Sequence, residues 1–301
     1  MLKILLRTIK VRIGISVLGF FVLMAITGSW FAIHVIGFTP LAIDTNRLAQ
    51  APGSVHWLGT TIAGQDVLAQ TLSGAQQSML AGIIATVLAN SIALLVGVTA
   101  GMAGGRTDTL LVGLTNVFLT LPGFALILIA AGYLHGGGTL TIGILMGLFG
   151  WAGSARALRA QTMTLRSRDF VTAMTGLGEG RLRLAINEII PSLGGLLSSL
   201  FLMGFVGGVI GEAGFAYLGV TNGVAVSWGT MIADAQTQNA LISGWWWWFL
   251  PPGLCIVLLG ASVTLINFGV DEIANPRLRG ESTRALKQAR LIRRRLLEGS
   301  K

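Results

Sequence analysis

The sequence predicts an all-α, polytopic membrane protein with about six transmembrane helices. Of its 301 residues, 53% are hydrophobic and only 11% are charged, and the mean hydropathy is +0.75. Charged residues make up about 25% of a typical soluble domain, so a water-soluble core could not absorb this composition. The bilayer must therefore be part of the solvent. The single cysteine, Cys255, lies in an apolar run, which excludes an intrachain disulfide framework and a cysteine metal site.

A helix crosses the hydrocarbon core with roughly 20 predominantly apolar residues, and six segments reach or approach this length. They are residues 13–37, 78–103, 110–134, 139–160, 192–220 and 249–271. The first is longer than the roughly 7–15-residue apolar region of a signal peptide, and we interpret it as an uncleaved span. In the fourth, Arg156 and Arg159 precede the end of a full span, so we expect this helix to continue out of the membrane.

The lysines and arginines predict the orientation of these spans, because cytoplasmic segments carry an excess of them. With the N-terminus inside, the transmembrane domain (residues 13–276) lies between a cytoplasmic tail at 1–12 and a basic cytoplasmic tail at 277–301. The inner segments together hold 20 of the 21 Lys and Arg, and only Arg47 falls outside. We therefore expect a multi-pass protein of the cell (plasma or inner) membrane with both termini in the cytoplasm. The same distribution accounts for the net charge of +9 without a nucleic-acid partner.

The segment between the first two spans, residues 38–77, is too long for a simple turn and lies outside in this orientation. Apolar and polar side chains alternate at helical spacing over residues 65–79. This pattern predicts an amphipathic helix that lies along the outer face and leads into the second span.

A second outer segment runs from Val220 to Trp248 and ends in four consecutive tryptophans. Such rings suit an interfacial belt, where an apolar ring meets a wet N–H, or a platform on which a sugar or an aromatic substrate stacks. Trp245 and Trp246 are therefore candidate pathway residues. Glu212 is the one carboxylate well inside an apolar run, where a charge normally faces the bundle interior or a cavity. It suits either a gate or a structural hydrogen bond near the outer boundary.

The long inner loop, residues 161–191, differs in character from the spans on either side, and we call it the basic loop. Apolar residues recur at helical spacing on both sides of a break formed by Gly176, Gly178 and Gly180, since glycine destabilises helices and permits positive φ. Pro191 then opens the next span, where proline is tolerated. This pattern predicts a compact helix–break–helix knob that can sit in a groove of a partner protein and carry motion into the spans.

Residues 168–191, RDFVTAMTGLGEGRLRLAINEIIP, resemble the EAA loop of permease subunits of binding-protein-dependent ABC importers, in its dipeptide/oligopeptide-type version. The matching positions are Asp169, Phe170, Val171, Ala173, Gly178, Leu182, Arg183, Ile190 and Pro191. Thr172 replaces the glutamate that names the loop, and Glu188 stands where a histidine is common. The resemblance implies that ATPase subunits are contacted through Arg168, Asp169, Phe170, Thr172, Ala173, Gly178, Glu179, Arg183 and Pro191.

The outer segment carries a second likeness, because HWLGTTIAGQDVLAQTLSGAQQS is similar to the family's HxLGTDxxGRDVxSRxxxGxRxS. Gln65, Gln70 and Gln77 stand where arginines are usual, and Thr61 stands where an aspartate is usual. The resemblance then implies the loss either of paired salt bridges or of a preference for acidic or zwitterionic solutes at the outer face. The motifs GEAGFAYLGV, SWGTM and NPRLR extend the resemblance, in order, over about residues 10–280.

This resemblance implies one half of the translocation pathway of a type I ABC importer, paired with a second homologous permease. Two cytoplasmic ATPase subunits would bind ATP and magnesium, and an extracytoplasmic solute-binding protein would deliver the solute. The chain itself would hold no cofactor, and its sequence contains no GxxxxGK[ST] phosphate loop. Oligopeptides and neutral oligosaccharides such as a β-glucoside both stay open as substrates. The glutamines and the tryptophans point partway toward the sugar.

Two other classes of function are open to a polytopic membrane protein. A stand-alone carrier or channel would work without ATPase partners, and we find no inverted repeats, which are its sequence sign. An intramembrane enzyme would need a nucleophile with a base, or a metal site, at membrane depth. The three histidines, His34, His56 and His135, are predicted near or beyond the outer boundary, and none belongs to HExxH. We therefore expect a transporter subunit rather than an enzyme.

Overall fold

The computed structural model describes residues 9–134, 138–221 and 225–274, with side chains described as far as residue 270. The predictions for the C-terminal tail, for NPRLR and for His135 lie outside these residues, as does the N-terminal tail before Ile9. Within the described residues the regular elements are helices, so the predicted fold class is confirmed.

The helices are numbered in chain order. They are α1 (Ile9–Phe31), α2 (Val67–Ala103), α3 (Gly105–Thr120), α4 (Gly123–Tyr133), α5 (Thr139–Arg166), α6 (Asp169–Gly176), α7 (Arg181–Leu184), α8 (Ile190–Ser192), α9 (Gly194–Tyr217), α10 (Trp228–Thr237) and α11 (Trp246–Ala274). A π-helical turn, Ala32–Ile36, extends α1, and another, Ala185–Ile189, joins α7 to α8. Five helices of the described chain, α1, α2, α5, α9 and α11, are long and apolar enough to cross a membrane, and the bent pair α3–α4 makes six if it counts as one span.

The second span begins earlier than predicted. α2 is one continuous helix of 37 residues, and the Asp66 carboxylate caps its first turn by accepting a 2.7 Å hydrogen bond from the Ala69 backbone N–H. The prediction of a separate amphipathic helix along the outer face is therefore wrong, because residues 67–79 form the first turns of the span. Gln70, expected on a wet face, is only 5% exposed and donates a hydrogen bond to Gln65 of the outer segment.

The third span is broken. The axes of α3 and α4 differ by 78° across Leu121 and Pro122. Leu121 adopts the extended conformation (φ −70°, ψ 138°) that a following proline favours, and Pro122 has no N–H with which to continue the helix. A count of apolar residues over 110–134 could not detect this break, since apolar residues continue on both sides of it.

The fourth span continues past its predicted end, as expected, and α5 stops only at Arg166. α5 packs along α2 more extensively than any other pair of helices in the described chain. Glycine allows this close approach: a Cβ atom at Gly97 would lie 2.6 Å from the Ala155 carbonyl oxygen, and one at Gly143 would lie 2.8 Å from that of Ala81. The two helices therefore form a rigid pair that reaches from the outer segment to the basic loop.

Two apolar clusters lie at opposite ends of α2, and we name them after the predicted sides of the membrane. The outer cluster is centred on Trp228 and includes Phe21, Met79, Phe205 and Val263, from α1, α2, α9, α10 and α11. The inner cluster contains Trp151, Leu158, Leu165, Val171, Leu184 and Ile189, from α5, α6, α7 and the turn after α7.

Candidate functional site

The basic loop has the predicted helix–break–helix form. α5 ends at Arg166, Arg168 is extended, and α6 then runs for eight residues. Asp169 occupies the first turn of α6, where a negative charge is favourable for the helix dipole. The chain turns back through Gly180 into α7, so that the loop presents two short helices joined by a tight corner.

The corner is built on Gly178. This residue has φ +88°, in the left-handed region that favours glycine. Its N–H bonds the Thr175 carbonyl at 3.1 Å, and the Glu179 N–H bonds the Met174 carbonyl at 3.1 Å. These two bonds form a Schellman motif, which satisfies the last carbonyls of α6 and stops the helix sharply. The glycine break predicted from the sequence is thus a defined corner, while Gly176 still belongs to the helix.

The underside of the loop is anchored in the inner cluster. Val171 is 2% exposed and is the one buried residue of α6, and Leu184 of α7 is 3% exposed. Both belong to the inner cluster with Leu165 of α5. Ile189, in the turn that leads to α9, is also fully buried. The loop is therefore fixed to the helices before and after it, and a force on α6 reaches both α5 and α9.

The upper side of the loop is uncovered. Of the nine residues predicted to contact an ATPase subunit, eight are exposed and one, Glu179, is half-buried. The exposed eight are Arg168, Asp169, Phe170, Thr172, Ala173, Gly178, Arg183 and Pro191. Leu177 was not among the predicted contacts, yet it is 86% exposed at the tip of the corner. The sequence contained a signal for this exposure. Leu177 lies between two glycines at the predicted break, where no continuous helix face is available for packing.

Arginines tie the base of the loop to the neighbouring helices. The Arg166 guanidinium donates to the carbonyls of Gly101 and Met102, both at 3.1 Å, and so caps the end of α2. Arg159 makes a bidentate pair with Asp108 of α3, at 2.6 and 2.7 Å. These contacts connect the end of α5, from which the loop begins, to α2 and α3.

Glu212, a candidate gate residue, is completely buried in α9. The Ser227 hydroxyl donates a 2.7 Å hydrogen bond to its carboxylate, and Ser227 itself caps α10 through a reciprocal pair of bonds with Thr230. This geometry agrees with the structural hydrogen bond considered from the sequence. Glu212 holds the start of α10 against the bundle.

Trp228, the first residue of α10, completes this outer attachment. It is fully buried, its backbone N–H donates to the Ser78 hydroxyl at 2.9 Å, and its indole N–H donates to the Thr71 carbonyl at 2.9 Å. The ring also meets Phe21 of α1 edge-on, with centroids 5.6 Å apart. A single side chain thus joins α10 to α1 and α2.

The four consecutive tryptophans, residues 245–248, differ in how far they are buried. Trp247 and Trp248 are 8% and 3% exposed, and the Trp247 indole N–H donates to the Thr60 carbonyl of the outer segment at 3.2 Å. Trp245 is half-buried, and only Trp246, 52% exposed, has a largely free ring. Two of the rings, Trp247 and Trp248, therefore belong to the outer cluster, and the pathway role of Trp245 and Trp246 stays a prediction.

The outer segment holds a chain of neutral hydrogen bonds at the positions where the family usually carries charges. The Gln70 amide donates to Gln65 at 2.7 Å, and the Gln65 backbone N–H donates to the Thr61 hydroxyl at 3.1 Å. One ionisable pair stays buried beside it, His56 with Asp66 at 2.7 Å. Within the described residues, no group of three or more His, Cys, Asp or Glu is placed to hold a metal ion.

Comparisons with known proteins converge on one family. Residues 93–280, which include the whole basic loop, match the family described as binding-protein-dependent transport system inner membrane component. The chain is 34% identical to an oligopeptide transport system permease protein OppC of Mycobacterium bovis over 238 residues, 78% of this chain and 80% of that protein. It is 29% identical to the protein of that name from Haemophilus influenzae, over 88% of this chain and 83% of that one. A putative peptide permease protein of Brucella suis is also 29% identical, over 80% and 79%.

Proposed function

The chain belongs to the family of binding-protein-dependent transport system inner membrane components, and from this premise we propose that it forms one half of the pathway of an ATP-driven oligopeptide importer. A second homologous permease supplies the other half. Two ATPase subunits, which bind ATP and magnesium, dock on the basic loop. An extracytoplasmic binding protein delivers the peptide to the opposite face.

The observation that carries this proposal is the contrast between the two sides of the basic loop. Its lower side is buried through Val171 and Leu184, whereas its upper side exposes Phe170 (40%) and Leu177 (86%). Apolar side chains left in water on a rigid support are typical of a surface that a partner covers. The partner that a permease of this family needs at such a surface is its ATPase.

The same anchors explain how movement passes from the ATPase to the spans. Interiors are close-packed and transmit displacement instead of absorbing it. When the ATPase dimer closes on nucleotide and shifts α6, the displacement passes through Val171 to α5 and through Ile189 to α9. Arg166 carries it to the end of α2. Spans two, four and five therefore move together, which is the rigid-body motion that alternating access requires.

This proposal places both termini and the basic loop in the cytoplasm. Support comes from the distribution of Lys and Arg, which puts 20 of 21 on that side. It also places the outer segment and α10 on the face that receives the binding protein.

For the cargo we favour oligopeptides over oligosaccharides. The relatives named above carry peptide or oligopeptide transport in their names, and two of the four tryptophan rings that pointed toward a sugar are packed in the outer cluster. Two of the three glutamines that pointed the same way, Gln65 and Gln70, hydrogen-bond each other. Thermal stabilisation of the cognate binding protein by tripeptides, and not by cellobiose, is the expected result. Stabilisation by cellobiose alone would contradict the choice.

The docking surface is tested with Leu177→Asp in the importer assembled with its second permease, ATPases and binding protein. The change places a charge at the apolar tip without touching a buried contact. We expect normal membrane insertion and loss of the ATP hydrolysis that peptide-loaded binding protein stimulates. Leu177→Met, which keeps an apolar tip, is the matched control and should retain stimulation. Full stimulation in the aspartate variant would contradict docking through this corner.

A further inference from the structure

A cavity of about 140 Å³ lies where α2, α5 and α9 meet, away from both the basic loop and the outer cluster. Thr86 and Asn90 line it from α2, Ser154 from α5, and Gly204 and Gly207 from α9. Asn90 stands at the middle of the span predicted over residues 78–103. Gly204 is likewise near the middle of its helix, whereas Ser154 lies toward the inner end of the span predicted over residues 139–160. The cavity is therefore within the membrane-spanning region.

The polar lining of this cavity includes one buried hydroxyl without a partner among the described residues. Thr86 is 2% exposed, and its hydroxyl has no hydrogen-bond partner in the described part of the chain. Asn90 and Ser154 are half-buried and line the same space. Hydrocarbon can neither donate nor accept a hydrogen bond, so polar side chains at this depth normally face a protein partner or a watered cavity. These three side chains are arranged to meet something other than lipid.

The glycines beside them keep the space open. A Cβ atom at Gly150 or Gly207 would meet nothing within 4 Å, so these glycines are not required by packing within the chain. A Cβ atom at Gly204, by contrast, would come within 3.2 Å of the Thr86 hydroxyl oxygen. That oxygen is itself buried, and the absence of side chains at these glycines leaves the cavity beside it unfilled.

No Lys, Arg, Asp or Glu is among the residues that line this cavity. The charged side chains on the same helices are engaged elsewhere. Arg156 donates to Asn116, Arg159 pairs with Asp108, Arg166 donates to the end of α2, and Glu212 accepts from Ser227. A lining of hydroxyl and amide groups both donates and accepts hydrogen bonds while favouring neither sign of charge.

We propose that this cavity is a contact station for the backbone amides of the transported peptide, formed by Thr86, Asn90 and Ser154. The inference rests on the proposed import of peptides and adds the residues and the chemistry of contact. Every peptide carries an N–H and a carbonyl at each residue, so such a lining holds peptides of different side chains and charges alike. A few neutral hydrogen bonds are also weak enough for release, as conduction through a pore requires.

The first test measures uptake of labelled trialanine into vesicles that contain the assembled importer. Thr86→Val and Asn90→Leu remove the hydrogen-bonding groups at similar size. Each should lower uptake at subsaturating peptide about fivefold, the effect of losing about one hydrogen bond. Thr86→Ser keeps the hydroxyl and should restore uptake. The matched control is Thr71→Val, since Thr71 is a buried threonine of the same helix whose hydroxyl already bonds the Val67 carbonyl; its uptake should stay within about twofold of the original.

The second test asks whether the cavity contains water. A Ser154→Cys variant in a Cys255→Ala background should react with a water-soluble thiol reagent, and trialanine under turnover should slow that reaction. A cysteine that never reacts, in an importer that transports normally, would show a packing contact with the second permease and overturn the inference.

The outcomes separate this inference from the proposed function. If the unsubstituted importer neither takes up trialanine nor hydrolyses ATP in response to it, the peptide-import proposal fails and the contact station fails with it. If it does both, and Thr86→Val and Asn90→Leu both take up trialanine at the unsubstituted rate, only the contact station is wrong.

Discussion

At the predicted outer end, polar and aromatic side chains are buried against partners from the same chain, whereas the basic loop at the other end leaves its apolar side chains uncovered. Glu212 and Trp228 each bond residues far away in the sequence. Phe170 and Leu177 extend into water from a helix that buries only Val171. The outer end is thus packed within the chain, and the uncovered loop is the surface on which we propose that a partner docks. Substitutions at the outer end should therefore lower the stability of the protein, whereas substitutions on the exposed side of the loop should impair coupling to the ATPase.

The largest effect on stability is expected at the outer end. Trp228→Ala removes a fully buried ring from the outer cluster and leaves the Thr71 carbonyl without its donor. We expect a loss of about 3–5 kcal/mol in the free energy of unfolding, measured in detergent by denaturant titration. Trp246→Ala, at a ring that is 52% exposed, is the control and should cost much less. Equal losses in the two variants would remove the basis for the comparison.

A smaller effect is expected at the corner of the basic loop. Gly178→Ala places a Cβ on a residue with φ +88° and should cost about 1–2 kcal/mol. It should also weaken the ATP hydrolysis stimulated by the loaded binding protein, because the corner shifts. Gly176→Ala is matched to it, since Gly176 is exposed, helical and equally free of neighbours. This control should be neutral or slightly stabilising, and a similar loss there would mean that the left-handed conformation is not what matters.

The arginine at the base of the loop should matter less again. Arg166→Ala removes the cap from the Gly101 and Met102 carbonyls, and we expect it to cost about 1 kcal/mol in the free energy of unfolding. Arg168→Ala, two residues on, removes an exposed guanidinium that makes no ion pair within the described residues. It should leave stability unchanged while impairing coupling to the ATPase. Comparing unfolding and ATP hydrolysis for this pair separates support from docking.

The smallest effect is expected at the exposed ion pair of the corner. Arg183 and Glu179 approach to 3.6 Å, but the Arg183 side chain is 72% exposed. Glu179→Ala should therefore change the free energy of unfolding by no more than about 0.5 kcal/mol. A clear loss of stimulated ATP hydrolysis without a loss of stability would assign Glu179 to the docking surface. A loss of stability well above this value would mean that the pair holds the corner together.

Much of this contrast could be predicted from the sequence. Membrane-length apolar runs predicted the spans, six of them if the bent pair α3–α4 counts as one, and the glycine at position 178 predicted the corner. These are local signals, and local physics decides them. The early start of α2 was missed, because Gln70 reads as a surface residue until its partner Gln65 is placed beside it.

The burial of the tryptophans and the existence of the cavity could not be predicted from the sequence for the same reason, because both depend on contacts between residues that are distant in the chain. Trp247 and Trp248 have the composition typical of an interfacial belt, and only the tertiary structure shows that both are packed in the outer cluster. Thr86, Asn90 and Ser154 lie on two different helices, and neither helix alone shows that their side chains share one space. Long-range packing decided these features, and a single sequence does not record it.

The central claim, that the ATPase docks on the uncovered side of the basic loop, is tested most directly by crosslinking in the assembled importer. A Phe170→Cys variant in a Cys255→Ala background is labelled with a thiol-directed photocrosslinker, and Trp57→Cys, 63% exposed on the outer segment, is the control. Illumination should join position 170, and not position 57, to an ATPase subunit. An ATPase adduct at position 57 with none at position 170 would contradict both the docking surface and the orientation of the chain.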